Sequence, residues 1–172
     1  MGPRTLQTKD WTLGGLAAAA GYAVDGGDAL PVRDVREDSR QCGPGDLFVA
    51  VPGTREDGLA YARDAVARGA VAVAAERDPR TDVPWMRVPS ARAAAGVLAD
   101  LVHGDPSRRL ALVGVTGTNG KTTTAFLGAQ LVPGPSGFIG TTGIRYPGAS
   151  LESANTTPGA TDFRRHLRRM VE

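Results

Sequence analysis

Apolar positions along this chain come in short runs divided by polar turns, and their period changes from run to run. "TLGGLAAAAGYAV" (Thr12–Val24) reads as a short amphipathic helix with the Thr12 hydroxyl at its N-cap. "PVRDVREDSR" alternates, with Val32 and Val35 breaking up the charges, as a strand running into a polar turn does. "CGPGDLFVAVPG" predicts a turn, an apolar strand over 47–51 and a second turn at Pro52-Gly53. Leu59, Ala62 and Val66 fall on one side of a helix expected over 58–68. "GAVAVAAE" is apolar throughout, the pattern of a strand covered on both faces. "WMRV" predicts a short strand, and an Ala-rich helix follows from its cap Ser90 to His103. Strands alternating with helices predict an α/β layer fold.

"HGDPSRR" (103–109) combines turn formers with exposed charge, so a domain boundary is expected there, dividing the chain into 1–108 and 109–172. After it the pattern restarts with an apolar strand, "LALVGVT" (110–116). The loop "GTNG" follows, then a helix over "KTTTAFLGAQLV", a strand at "GFIGTT", an irregular stretch and a C-terminal helix. The fold expected is a small N-terminal α/β substrate domain followed by an incomplete parallel-sheet phosphate-loop domain. Uncovered strand edges and an uncovered helix face would make the second part marginal in stability. Arg164, Arg165, Arg168 and Arg169 around His166 read as one solvated helix face, and Thr157-Pro158 as that helix's start.

Composition narrows the functional classes. The apolar fraction is 41% and the net charge only +2, with a sequence pI near 9.0. Basicity this slight gives no argument for nucleic acid. The single cysteine, Cys42, cannot form an internal disulfide and has no partner base nearby in sequence. The Ala- and Gly-rich run after Lys9 is preceded by Asp10 and Trp11, which disfavours a secretory signal. No run approaches the ~20 apolar residues of a membrane span. A soluble, cytoplasmic protein with no nucleic-acid or membrane partner is expected.

"GVTGTNGKTTT" (114–124) carries the chemistry. A strand ending in a Gly-rich turn that opens a helix aims backbone N–H groups at one point, and the helix dipole adds positive potential. Lys121 stands where it can reach outer phosphates, and the Thr122 hydroxyl where it can ligate Mg²⁺. The common pattern wants a glycine six residues before the lysine. Val115 occupies that position, and the glycines stand at 114, 117 and 120. No Asn-Lys-x-Asp segment is present to read guanine, so the nucleotide expected is adenine.

With its short glycine spacing, "VTGTNGKTTT" resembles the ATP loop of the Mur ligases, the ATP-dependent amide ligases of peptidoglycan precursor synthesis. "DSRQCGPGDLFVAVPGTREDG" is similar to the N-terminal substrate domain of the UDP-N-acetylmuramoyl-tripeptide synthetases, which add the third stem-peptide residue. "GFIGTTG" and "NTTPGATDFRRHL" resemble segments that follow the loop in the same enzymes.

The resemblance implies ATP contacts at Gly117, Thr118, Asn119, Gly120, Lys121, Thr122 and Thr123, with Mg²⁺ at Thr122. It implies UDP-substrate contacts at Ser39, Thr54, Arg55 and Glu56, and contacts to the muramoyl-peptide end at Asn155, Thr156 and Thr157. Gly159 stands where relatives often carry an acidic residue. The implied reaction runs through an acyl phosphate that an incoming amine displaces, with UDP-N-acetylmuramoyl dipeptide and an amino acid as substrates. No "EVSSH"-like segment follows, so an N-terminal portion is expected, inactive alone and completed by further sequence or by a partner chain. The alternatives are a non-catalytic module that binds ATP or a UDP-sugar beside a partner, and an unrelated phosphate-loop NTPase.

Overall fold

The computed structural model describes residues 10–53, 56–152 and 157–172. Trp11–Thr12 (β1) leads directly into Leu13–Ala20 (α1), whose first turn is capped by the Thr12 hydroxyl accepting from the Gly15 amide at 3.1 Å. Ala23–Asp25 (β2), Pro31–Val32 (β3), Asp34–Arg36 (β4) and Asp46–Val49 (β5) follow. A 3-10 turn at Gly58–Tyr61 then opens Ala62–Ala67 (α2), and Ala72–Ala75 (β6), Trp85–Arg87 (β7) and Ala91–His103 (α3) complete the first part. Ser90 caps α3 as expected, accepting from Ala93.

Five of these strands form one sheet in the order β2-β7-β6-β5-β4, parallel except for β2 against β7, while β1 and β3 pair separately. Strand period 2 explains the apolar runs. Leu47 and Val49 of β5, with Ala72 and Ala74 of β6, face a core shared with Leu13, Leu16, Leu98 and Met86. Their neighbours Phe48, Val73 and Ala75 face the opposite core, beneath Ala62 and Ala65 of α2. Both faces are therefore covered, and each fully buried Leu or Phe contributes about 1.5–3 kcal/mol. On α3, Ala91, Ala94, Ala95, Leu98, Ala99 and Val102 form the buried stripe.

"PVRDVR" is not one strand. Pro31–Val32 pairs antiparallel with β1, whereas Asp34–Arg36 pairs parallel with β5, so the chain changes sheets at Arg33. A single alternating pattern cannot distinguish the two, because Val32 and Val35 are both buried in the same core.

The second part departs further from expectation. Gly104 closes α3 in the left-handed conformation, and a 3-10 turn over Pro106–Arg109 follows, as the linker chemistry suggested. The strand expected at 110–116 does not form: the backbone belongs to no sheet, and Val113 is 87% exposed. A strand needs a hydrogen-bonding neighbour, and among the described residues none is offered. Lys121–Leu131 (α4) forms as expected but buries no residue. Phe138–Gly140 (β8), Gly143–Tyr146 (β9) and Ala149–Leu151 (β10) make an antiparallel meander, in place of two parallel strands. The mixed α/β architecture thus holds, with its parallel strands all in the first part.

Ala160–Val171 (α5) lies against α3 and β4. Its arginines do not form one solvated face, although Arg169 is exposed. Arg165 Nε sits 3.1 Å from Asp34 Oδ2, its Nη2 donates to the Val35 carbonyl at 3.2 Å, and Arg164 Nε lies 3.1 Å from Asp100 Oδ1. Leu167, 1% exposed, is the helix's main apolar anchor. The sequence misled here because a docking stripe built from arginine reads like solvent-facing charge; the long stems lie along the first part while the guanidiniums find carboxylates.

Candidate functional site

In a parallel sheet, ligands bind outside the carboxyl ends of the strands. Ser39 follows β4 and the turn through Glu56 follows β5, so both segments leave the same edge. Asp38 caps a 3-10 turn over Ser39–Gln41, accepting from the Arg40 amide at 3.0 Å. Arg40 also holds the Asp38 carboxylate at 2.8 Å, and its hydrogen bond keeps that group below the usual carboxylate range despite some burial. Ser39 is 6% exposed and donates its hydroxyl to Asp64 Oδ2 at 2.8 Å. That bond ties the turn to α2 and leaves the serine oxygen as an acceptor only.

Glu56 is exposed; its carbonyl accepts from the Gly53 amide at 2.9 Å, and its carboxylate receives the Tyr61 hydroxyl. Asp57 is clamped by Arg77 and caps the turn that opens α2. The carboxyl edge thus presents Gly53 and Glu56, joined by a backbone hydrogen bond, beside the serine-bearing turn. Thr54 and Arg55 lie outside the described residues, as do Asn155 and Thr156, while Thr157 is exposed.

The phosphate-loop candidate lies at the start of α4. Gly120 is the N-cap with φ 76°, a left-handed conformation that favours glycine. No side chain caps this helix and no acidic residue sits in its first turn. The initial N–H groups are left to solvent or to an anion. Lys121 is the first helical residue, and its ammonium folds back to donate to the Gly117 carbonyl. Thr122 Oγ1 lies 3.0 Å from Thr141 Oγ1, which the "GFIGTT" segment brings alongside. Thr118, Asn119, Gly120 and Thr123 are exposed.

This arrangement suits a polyphosphate: bare amides, one ammonium and neutral hydroxyls, without a carboxylate to repel it. A Mg²⁺ that keeps waters and phosphate oxygens needs few protein ligands, and the Thr122–Thr141 hydroxyl pair fits that demand. Among the described residues no cluster of His, Cys, Asp and Glu could hold a metal by itself.

Other sequence candidates resolve into structural roles. Burial and the neighbouring Asp46 carboxylate push the Cys42 thiol up to about 12, the opposite of an activated nucleophile. His103 ends α3, 6% exposed, with Nε2 3.3 Å from Asp34 Oδ1, outside hydrogen-bond geometry. His166 packs near the Tyr146 ring at 6.4 Å, and burial lowers its pKa.

Two neighbours of the site were not read from sequence. Thr141 carried a signal, the Thr-Thr pair after a strand. Glu37 carried none: its partner, Thr161, is 124 residues away. Its Oε1 accepts from the Thr161 amide at 3.1 Å and lies 3.4 Å from the Thr161 hydroxyl. The helix start expected at Thr157-Pro158 therefore shifts to Ala160, with Gly159 as N-cap. A Cβ on Gly159 would stand 1.9 Å from Glu37 Oε1. Glu37, just beyond β4, thus adds a second carboxylate to the start of α5, whose first turn already carries Asp162.

The Mur ligase middle domain matches residues 115–172, and the domain described as Mur ligase family, catalytic domain, matches residues 31–103. Over 160 residues the chain is 41% identical to "UDP-N-acetylmuramoyl-L-alanyl-D-glutamate--2,6-diaminopimelate ligase" of Geobacillus thermodenitrificans, covering 91% of this chain and 33% of that protein. The ligase of the same name from Pseudomonas syringae pv. tomato is 46% identical over 135 residues, covering 74% of this chain and 28% of the relative. A solved structure of a ligase so named shares the fold, with a TM-score of 0.64 at 24% identity over 86% of this chain and 31% of that one. The chain spans about a third of the length of the curated relatives it matches. Among the described residues no helix is long and apolar enough to cross a membrane. Matched in both halves by domains of one family, and by its ligases at up to 46% identity, this chain belongs to the Mur ligase family.

Proposed function

We propose that this chain supplies the UDP-sugar-binding part (1–108) and the phosphate loop (109–172) of an ATP-dependent amide ligase. The reaction is addition of the third stem-peptide amino acid to UDP-N-acetylmuramoyl dipeptide. The observation that carries the reading is the uncapped start of α4, where Gly120 and Lys121 follow a glycine-rich loop with no acidic residue in the first turn. The relatives' names, which specify a UDP-N-acetylmuramoyl dipeptide and diaminopimelate, supply the substrate class.

ATP, when bound, supplies the phosphoryl group that activates the substrate carboxylate. The amides of Gly117–Gly120 and the first turn of α4 would hold its phosphate oxygens. Lys121 would exchange the Gly117 carbonyl for a phosphate oxygen, setting an ammonium against developing negative charge. Thr118, Asn119 and Thr123 line the same loop, and Thr122 would contribute its hydroxyl to Mg²⁺. Ser39, Thr54, Arg55 and Glu56 would bind the UDP end at the sheet's carboxyl edge. Asn155, Thr156 and Thr157 would face the muramoyl peptide.

Calorimetric titration of the folded chain with Mg-ATP tests the reading. Saturable heat is expected, weakened at least tenfold in Lys121→Ala, since a hydrogen bond to a charged group contributes about 1.5–3 kcal/mol. Folded protein that gives no heat, or a variant that binds like its parent, would overturn it.

A further inference from the structure

We propose that Glu37 is a positioning residue that holds the Ser39 turn and the approach to α5 at Thr157 in fixed relation, an inference that rests on the substrate reading above. Glu37 stands two residues before Ser39 and receives both the amide and the hydroxyl of Thr161, four residues after Thr157. Thr161 is 1% exposed, so this joint is shielded from water. A charged acceptor on a helix N-terminal amide also gains from the helix dipole.

Neighbouring contacts make the joint directional. Gln41, at the end of the Ser39 turn, donates from Nε2 to Asp162 Oδ2 at 3.4 Å. Arg165 reaches Asp34 and the Val35 carbonyl one turn further along α5. Residues 34–41 therefore touch successive positions of α5 from its first turn onward. Gly159 completes the fit, because any larger residue would drive into the Glu37 carboxylate. A single substrate that meets both Ser39 and Thr157 needs their separation set to its own length. Pre-setting that separation removes ordering cost from the binding step.

The test uses the 172-residue chain, with Glu37→Ala, Glu37→Gln and Gly159→Ala. Two readouts are taken: amide hydrogen exchange over 159–165, and calorimetric affinity for UDP and for UDP-N-acetylmuramoyl dipeptide. Glu37→Ala should speed exchange at Thr161–Phe163 and weaken the dipeptide ligand about tenfold, while UDP alone binds within about twofold of wild type. Glu37→Gln, which keeps an acceptor oxygen, should recover part of both effects. Gly159→Ala, which leaves Glu37 in place but displaces it, should reproduce Glu37→Ala. Equal losses for both ligands, or unchanged exchange in a folded Glu37→Ala chain, would overturn the positioning role. A wild-type chain that binds neither ligand overturns the substrate reading instead, a separate result, because the exchange data report the joint without any ligand.

Discussion

Asp34 and Arg165 are 131 residues apart in sequence and 3.1 Å apart in space. Asp34 also receives Arg36 Nη2 at 3.0 Å and lies against buried His103. Burial raises the Asp34 pKa, but the His103 contact and the Arg165 and Arg36 guanidiniums outweigh it and hold the carboxyl well below the usual range.

That depressed pKa fixes the sign of an acid effect. Between the folded and unfolded values the unfolded chain binds more protons, so stability rises with pH there. Asp34's contribution should be complete above the ordinary carboxylate range near pH ~4 and decline as pH falls below it. Asp34→Asn should cost roughly 3 kcal/mol, as breaking a buried pair does. Urea denaturation at pH ~7 and at pH ~3 should show the variant's deficit shrinking at the lower value. A deficit that stays constant would remove Asp34 from the acid response.

Gly120 and Gly114 should differ on substitution. Gly120 has φ 76°, where an alanine costs about 1–2 kcal/mol, whereas Gly114 is not in that region and has open space around it. Gly120→Ala is expected to weaken Mg-ATP binding at least fivefold, and Gly114→Ala to leave it nearly unchanged. Calorimetry on both variants checks this, and equal losses would mean that the loop's conformation is not what the ligand selects.

Protection should be uneven along the chain. The strands β5 and β6 are buried on both faces, and α3 has a continuous buried stripe, while α4 buries no residue. Native-state hydrogen exchange should give the slowest amides in β5, β6 and α3, with α4 faster by at least a hundredfold. Addition of Mg-ATP should slow α4 if the loop binds it. Uniformly strong protection across both parts would contradict the exposure of Leu127 and Leu131.

Cys42 should be inert at neutral pH. Its thiol is buried and its pKa is pushed up to about 12, so the thiolate is a negligible fraction of the folded protein. A colorimetric thiol reagent should react slowly with native protein and at an ordinary rate in urea. Fast reaction in the native state would show that this turn opens readily.

Much of the first part was legible because local chemistry sets it, although β2 at Ala23–Asp25 begins inside the run read as one helix and residues 31–36 divide between two sheets. Thr12 and Ser90 cap their helices with their own hydroxyls, and the run over Ala72–Ala75 declares a doubly covered strand by composition. The geometry of the candidate phosphate loop was legible for the same reason, since Gly120 and Lys121 are neighbours in sequence. What escaped reading depends on distant partners. The 110–116 run has the composition of a strand and lacks a strand to pair with among the described residues. The β9–β10 hairpin was passed over although Pro147-Gly148 marks its turn. Glu37 and the α5 arginines look like surface charge until the fold brings Thr161, Asp34 and Asp100 to them.

Because α5 is fastened to α3 and β4, the excursion that carries the phosphate loop is anchored at both of its ends. The Pro106–Arg109 turn that begins it also touches α5. Closing that excursion has already removed much of its translational freedom, so Lys121 is confined to a limited volume about the first part. Gly137 and Tyr146 of the same excursion also meet Met170 and His166 of α5, so any reorientation of Lys121 works against a third attachment, and loosening any of the three should widen the arc that Lys121 can sweep.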